Sequence, residues 1–166
     1  MSNSSLDVAL IMGSDSDLPV VEASFSILES FGVKYTKNVM SAHRTPHDVM
    51  DLIKRSEENG CKVLIAAAGM AAHLAGAVAA HSTKPVIGIP IESGGMGGID
   101  SLLSTAMMPP GVPVATVAVG KSGAKNSAIL AVQILATSDD ELAQKLKDYK
   151  SNMREEVLKK DKKLNS

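Results

Sequence analysis

Residues 7–17 read DVALIMGSDSD, an apolar run that breaks at Gly13 into a turn built from serines and aspartates. Pro19 follows, and proline suits the first turn of a helix because its missing N–H needs no partner there. Gly32 comes 13 residues later and is a typical residue for ending a helix. The stretch therefore predicts a strand, a loop and a helix that ends at about Phe31.

The same strand, loop and helix pattern recurs along the chain. Apolar runs predict further strands at residues 33–40, 63–68, 85–91 and 114–119. Helices are predicted from Thr45 to Gly60, over 71–80, from about Asp100 and over 124–136. Parallel strands need such crossovers, so the chain predicts an α/β fold: a three-layer, doubly wound, flavodoxin-like parallel sheet of about five strands.

The expected domain organisation is a single domain over residues 1–166, with a globular core at about 7–136 and a C-terminal helix and tail at about 138–166. A chain of 166 residues is long enough to bury a sizeable core. Ser138 and Glu141 have the spacing of a capping box and predict the start of the last helix. The lysines toward Lys163 are typical of a solvated helix face.

Composition excludes several classes of protein. Hydrophobic residues make up 45% and charged residues 21%, as in ordinary globular domains. A net charge of -1 gives no electrostatic reason to expect a nucleic acid or a membrane surface as partner. Residues 63–80 are apolar except for His73, but they divide at Gly69 into a strand and a helix, which disfavours a membrane span. Cys61 has no intramolecular partner and no leader segment opens the chain, so we expect a cytoplasmic protein with a structural thiol at Cys61.

Residues 41–46, SAHRTP, follow the second predicted strand and place a histidine beside an arginine. The carboxyl ends of parallel strands meet at one edge of a sheet, where ligands bind. An imidazole can act as acid or base near neutral pH, and a guanidinium suits phosphate or carboxylate. His43 and Arg44 are therefore predicted to be functional residues.

Other loops allow two interpretations each. Ser14, Ser16 and Asp17 could bind an anion such as phosphate at the start of the first helix, or could simply cap that helix. His73 could be a hydrogen-bonded core histidine or a second pocket residue. Four glycines at residues 94–98 could form a mobile flap or a simple connection. His47 is expected at the surface, and His81 at a helix end.

The sequence has no motif for a common cofactor. Residues 120–123, GKSG, are too short for a P-loop, and no G-x-G-x-x-G follows the first strand. Histidines and acids show no metal-ligand spacing, and one cysteine supplies no zinc set. We expect neither a metal nor a cofactor.

Five motifs in order carry a resemblance to a known family: MGSDSD at 12–17, SAHRTP at 41–46, AGMAAHL at 68–74, DSLLS at 100–104 and PVATVA at 113–118. Together they resemble the class I N5-carboxyaminoimidazole ribonucleotide mutases of purine synthesis, over about residues 7–136. The chain departs from the family at Ala75, where a proline is usual, and in residues 92–98, which are unusually rich in glycine.

The resemblance implies an enzyme that moves a carboxylate from the exocyclic nitrogen of an aminoimidazole ribonucleotide to carbon 4 of its ring, without metal, ATP or other cofactor. By position, His43 would be the acid/base, Ser14 and Arg44 would bind the phosphate, and Asp17 the ribose hydroxyls. Further substrate-binding positions would be Ser16, Ser41, Gly69, Ala72, His73 and Leu74. The resemblance also implies a homo-octamer, to which the apolar helix predicted at 71–80 would contribute. A transient partner enzyme could deliver the labile substrate.

Two other functions remain as alternatives. An aminoimidazole ribonucleotide carboxylase would take free carbon dioxide, using a related fold and the same histidine. A non-catalytic module could hold a flavin or a phosphosugar in the same loops. The flavin version is disfavoured because aromatic residues are only 2% of the chain and would leave little to stack on the ring.

Overall fold

The computed structural model describes residues 6–165, so both ends of the domain predicted at 1–166 lie outside the described residues. Five parallel strands form one sheet in the order β2-β1-β3-β4-β5. The strands are β1 Val8–Met12, β2 Tyr35–Val39, β3 Val63–Gly69, β4 Val86–Ile91 and β5 Ala115–Thr116. The helices are α1 Leu18–Phe31, α2 Pro46–Glu58, α3 Leu74–His81, α4 Ile99–Ala106, α5 Gly120–Ala136 and α6 Asp140–Leu164.

Helices cover both faces of the sheet, as the doubly wound prediction requires. Every residue of β1 is buried, and successive side chains enter opposite cores. Leu10 packs in the core that α1 and α5 cover, whereas Ile11 packs in the core that α2 and α3 cover. The three-layer α/β prediction is confirmed.

Three elements begin or end three or more residues away from the predicted bound. β5 has two residues instead of six, and Ala118 just beyond it has a φ of 126°, which is incompatible with extended backbone. α5 begins at Gly120, four residues before the predicted start. α3 begins at Leu74, because the left-handed backbone at Met70, with φ 55°, turns the chain before the helix starts.

Helix ends follow the sequence signals in part. Gly32 ends α1 in the left-handed conformation, with φ 73°. The predicted side-chain caps at Thr45 and Ser138 are wrong, since the Thr45 hydroxyl bonds Ser41 and the Ser138 hydroxyl donates to the Leu135 carbonyl. Asp139 caps α6 instead, accepting a hydrogen bond of 3.0 Å from the Leu142 amide.

Cys61 is 1% exposed, and its thiol donates to the carbonyl of Val63 at 3.2 Å. Burial raises the pKa of this thiol, which keeps it protonated and unreactive. The structural role predicted for Cys61 agrees with this environment. Among residues 6–165, no helix is long and apolar enough to cross a membrane.

Candidate functional site

A cavity of about 490 Å³ opens at the carboxyl ends of β1, β2 and β3. The strand order reverses between β1 and β3, which is the place where open α/β sheets bind ligands. Its walls come from the loops that follow β1, β2, β3 and β4. The lining residues are Gly13, Ser14, Ser16, Asp17, Ser41, Ala42, His43, Arg44, Ala68, Gly69, Met70, Ala71, His73, Leu74 and Ser93.

The loop after β1 is a single turn of 3-10 helix, Asp15–Asp17, that runs directly into α1. The Ser14 amide donates to Asp17 Oδ2 at 3.0 Å, and the Ser14 hydroxyl accepts from the Ser16 amide at 3.3 Å. The capping interpretation is confirmed for Ser14 and Asp17 on this 3-10 turn, whereas α1 itself has no side-chain cap hydrogen bond from its N-cap residue, Asp17. The same turn also presents Ser14, Ser16 and Asp17 to the cavity, so capping and a place in the cavity wall occur together.

Asp17 is the one carboxylate among the described residues that line the cavity, and it is only 6% exposed. Burial is the main cause that raises the pKa of this carboxyl above its ordinary 3.8. The nearby Asp15 raises it further, while the backbone hydrogen bond from Ser14 lowers it. A desolvated carboxylate with one oxygen held by an amide is a well-positioned acceptor for a ligand hydroxyl.

The loop after β2 is held in shape by Ser41, two residues beyond the end of the strand. The Ser41 hydroxyl accepts hydrogen bonds from the amides of His43, at 3.3 Å, and Arg44, at 3.2 Å. The Thr45 hydroxyl accepts from the Ser41 amide at 2.9 Å and donates to the Ser41 carbonyl. This tight turn explains why Ser41 and Thr45 accompany the His-Arg pair: they fix the backbone from which both side chains project.

Arg44 reaches from the β2 loop to the β1 loop. Its Nη2 donates to the carbonyl oxygen of Gly13 at 3.1 Å. Arg44 and Ser14 line both the main cavity and a neighbouring one of about 340 Å³. A guanidinium and a serine hydroxyl at the start of a helix form a suitable pair for an anionic group such as a phosphate.

His43 and His73 meet across the cavity. Nε2 of His43 lies 2.7 Å from Nδ1 of His73, and the rings stand edge to face with centroids 4.8 Å apart. Both side chains are exposed, so the core interpretation of His73 is wrong and the residue lines the cavity instead. Sequence alone could not pair them, because β2 and β3 lie on opposite sides of β1 and the contact depends on that order.

Gly69 and Ser93 are in close contact at the end of β3. A Cβ on Gly69 would overlap the Ser93 hydroxyl oxygen and would lie 3.1 Å from the Ile91 carbonyl oxygen. Ser93 was not predicted as a site residue. Its one sequence signal was its position shortly after β4, at the same edge as the other loops.

The remaining predicted residues divide into two groups. Leu74 lines the cavity, whereas Ala72 is buried beside it and does not line it. Residues 94–98 do not line the cavity either. His47 is exposed on α2, as expected, and His81 Nδ1 lies 2.8 Å from the Ala77 carbonyl in the last turn of α3.

The fold and the cavity define a doubly wound α/β protein with a polar ligand site at the switch point of its sheet. The model of the AIR carboxylase family matches residues 7–156, and the chain belongs to this family. It is 50% identical over 157 residues to the N5-carboxyaminoimidazole ribonucleotide mutase of Thermotoga maritima, which covers 95% of this chain and 91% of that protein. It is 47% identical over 156 residues to the Escherichia coli K12 protein of the same name, covering 94% and 92%.

Solved structures agree with this assignment. The crystal structure of Treponema denticola PurE superposes with a TM-score of 0.86 at 30% identity, covering 96% of this chain and 98% of that one. A second crystal structure, of a variant of Treponema denticola PurE2, gives a TM-score of 0.89 at the same identity and covers 98% of this chain and 99% of that one.

Proposed function

We propose that the protein is an N5-carboxyaminoimidazole ribonucleotide mutase, which converts this ribonucleotide to 4-carboxy-5-aminoimidazole ribonucleotide in purine biosynthesis. The observation that carries the proposal is identity of about half of all positions, over nearly the whole chain, with proteins of that name. The cavity supports it, because residues of the resembling motifs from three separate loops line one space.

Arg44 and Ser14 bind the phosphate of the substrate. Arg44 supplies the positive charge, and its bond to Gly13 holds the guanidinium over the β1 loop. Ser14 and Ser16 supply hydroxyls on the turn that opens α1. Asp17 accepts hydrogen bonds from the ribose hydroxyls, and Ser41 holds the loop that carries Arg44.

His43 transfers the proton. Loss of carbon dioxide from the N5-carboxylate breaks an N–C bond, and the departing nitrogen takes one proton from the imidazole. Carbon 4 then attacks the carbon dioxide, and the imidazole takes one proton from carbon 4 as the ring regains its aromaticity. The proton count closes over the cycle, so one group that works near neutral pH can serve both steps.

The freed carbon dioxide must stay beside carbon 4. Gly69 at the end of β3 and Leu74 at the start of α3 line the cavity with small or apolar groups, which suit a small apolar molecule, and Ala72 is buried behind them. His73 lies at the same end of the cavity. Confinement favours recapture because the attack becomes effectively intramolecular.

A direct assay tests the function. Purified protein is given N5-carboxyaminoimidazole ribonucleotide with and without added bicarbonate, and formation of the carbon-4 carboxylate is followed. Conversion that is independent of bicarbonate identifies a mutase. Carboxylation of aminoimidazole ribonucleotide that rises with bicarbonate identifies the carboxylase alternative. Yellow protein without either activity would indicate the flavin-binding alternative.

We also propose a homo-octamer in the cytoplasm. Its support is a row of apolar residues, Ile99 and Leu103 on α4 and Met107 directly after it, each of which is more than half exposed. α3 supports it less than expected, because Leu74, Ala75 and Val78 are already buried in this chain. Sedimentation of a stable, active monomer would contradict the octamer, and cell fractionation tests the compartment.

A labile substrate gives a reason for a transient partner enzyme that hands it over. An assay that contains both enzymes tests this. A third enzyme that consumes the free ribonucleotide is added, and the rate of product formation by the pair should not change if the substrate passes directly from one enzyme to the other.

A further inference from the structure

We propose that His73 is a positioning residue that forms one proton-holding unit with His43, and that the pair carries a single proton through the reaction. The inference rests on the proposed function for its kinetic consequences, but its structural basis is independent of it. That basis is the 2.7 Å separation between Nε2 of His43 and Nδ1 of His73.

A separation of 2.7 Å requires one hydrogen between the two nitrogens. Two lone pairs at this distance would repel each other, and two N–H groups would collide. Because Nε2 of His43 faces Nδ1 of His73, the bridge fixes the same tautomer in both neutral rings, and one ring donates while the other accepts. The ring planes are nearly perpendicular, at 81°, and the nitrogen edge of one ring faces the nitrogen edge of the other, so the in-plane N–H of one can point at the in-plane lone pair of the other.

The bridge limits the charge of the pair. Adding one proton to an outer nitrogen leaves the bridging hydrogen in place, so a singly protonated pair stays bonded. Adding a second proton would place both positive charges within a centroid separation of 4.8 Å. The pair thus changes between zero and one positive charge, which matches the single proton that the reaction gives and takes back.

Few other ionisable groups among the described residues lie near the two histidines in the cavity wall. Asp17 and Arg44 are the other ionisable side chains among the described residues that line the cavity, and they come from the β1 and β2 loops. The described lining residues after β3 and β4, apart from His73 itself, carry no ionisable group. His47 and His81 are the remaining histidines of the chain, and neither lines the cavity, so they serve as internal references.

The first measurement needs no substrate. Long-range proton–nitrogen NMR spectra of protein labelled only at histidine report the tautomer and charge of each imidazole as the pH is lowered. We expect the neutral His43 and His73 rings to show the same tautomer, both with the proton on Nε2 or both with the proton on Nδ1, because Nε2 of one ring faces Nδ1 of the other. Different tautomers in the two neutral rings would overturn the proposal, whatever the catalytic activity, because the two nitrogens would then carry two hydrogens or none.

The second measurement uses two variants of His73 whose new side chains, leucine and asparagine, have nearly the same shape. His73→Leu removes the hydrogen bond to His43, and His73→Asn retains an amide near the position of Nδ1. We expect kcat of His73→Leu to fall by about tenfold to about a thousandfold with little change in KM, because the acid/base is present but wrongly oriented. His73→Asn should recover most of kcat at the optimum, with a pH profile typical of one imidazole.

Equal kinetics for the Leu and Asn variants, or an effect on KM alone, would show that His73 only lines the pocket and would overturn the proposal. His47→Leu is the matched control on the surface of α2 and should leave kcat and the pH profile unchanged. If no variant, and not even the parent, converts the substrate, the proposed function fails while the NMR result still decides the pairing.

Discussion

The guanidinium of Arg44 and the carbonyl of Gly13 join the loops of two neighbouring strands through a hydrogen bond of 3.1 Å. A carbonyl oxygen satisfies one donor edge of the guanidinium without neutralising its charge. The bond therefore orients the cation at the start of α1 and leaves its charge available to an anionic ligand.

Replacing Arg44 by alanine should weaken binding of the ribonucleotide by about 2 to 4 kcal/mol, because a charge-assisted contact is lost while its partner stays bound. That loss corresponds to about thirtyfold to about a thousandfold in Kd. Isothermal titration with the reaction product measures it. Ser14→Ala should have a smaller effect. Arg55→Ala, on the exposed face of α2, is the control, and parental affinity in Arg44→Ala would remove the phosphate assignment.

Replacing His43 by asparagine should lower turnover by about a hundredfold to about ten-thousandfold, the usual share of general acid/base catalysis. Binding should survive, because Arg44 and Asp17 hold the unreacting ribose phosphate equally before and during the reaction. Steady-state kinetics and titration of the same preparation separate the two. Near-parental turnover would exclude His43 from the mechanism.

Replacing Asp17 by asparagine should stabilise the fold at neutral pH while weakening substrate binding. Burial raises the folded-state pKa of this carboxyl, so the folded protein holds its proton more tightly than the unfolded chain does. The free energy of unfolding of the parent should therefore fall as the pH rises above 3.8 and through the raised folded-state pKa of Asp17. The variant has no carboxyl at this position, so its free energy of unfolding should not show this decrease.

Urea unfolding at several pH values measures the difference between the Asp17→Asn variant and the parent. The difference in free energy of unfolding should favour the variant more and more as the pH rises from 3.8 through the raised folded-state pKa of Asp17. Asp15→Asn removes a neighbouring charge that raises the pKa of Asp17, so it should make the fall of stability with pH smaller without abolishing it. A variant that is less stable than the parent at pH 7 would show that the hydrogen bond to Ser14 outweighs burial.

Adding a methyl group at Gly69 should destabilise the protein by about 1 to 3 kcal/mol, the usual cost of overpacking. The new Cβ would overlap the Ser93 hydroxyl oxygen, so Ser93 must move away from the cavity wall. Thermal unfolding measures the loss. Gly95→Ala is the control, since a Cβ there meets nothing within 4 Å. Adding Ser93→Gly to the Gly69→Ala variant should restore part of its stability.

The fold was predictable because its signals are local. β1, β3 and β4 are short apolar runs, whereas β2 is mostly polar. The ends of α1 coincide with Pro19 near its start and Gly32 after its end. β5 was overestimated because its composition favours a strand, whereas Ala118 has a positive φ that its residue type does not indicate. A Cβ on Gly123 would overlap the Ala118 carbonyl oxygen, which explains a glycine in the first turn of α5.

The site was predictable one loop at a time. His43, Arg44 and the Ser14–Asp17 turn each follow a strand, and the rule that ligands bind at the carboxyl edge was enough to expect them together. The contact of His43 with His73 was not, because it depends on β1 lying between β2 and β3. Ser93 was missed because its contact with Gly69 depends on the register of β3 with β4.

The position of β2 in the sheet has a consequence for motion. β2 pairs with β1 alone and its side chains are only partly buried, whereas β1 lies in the middle of the sheet and is fully buried. The loop with His43 follows β2, which can separate from the sheet with the smaller loss of packing. The turn with Ser14 follows β1, which cannot separate without a large loss of packing. A ligand that contacts both Ser14 and His43 links the edge strand β2 to the central strand β1. Amide hydrogen exchange in β2 should therefore slow when the site is occupied.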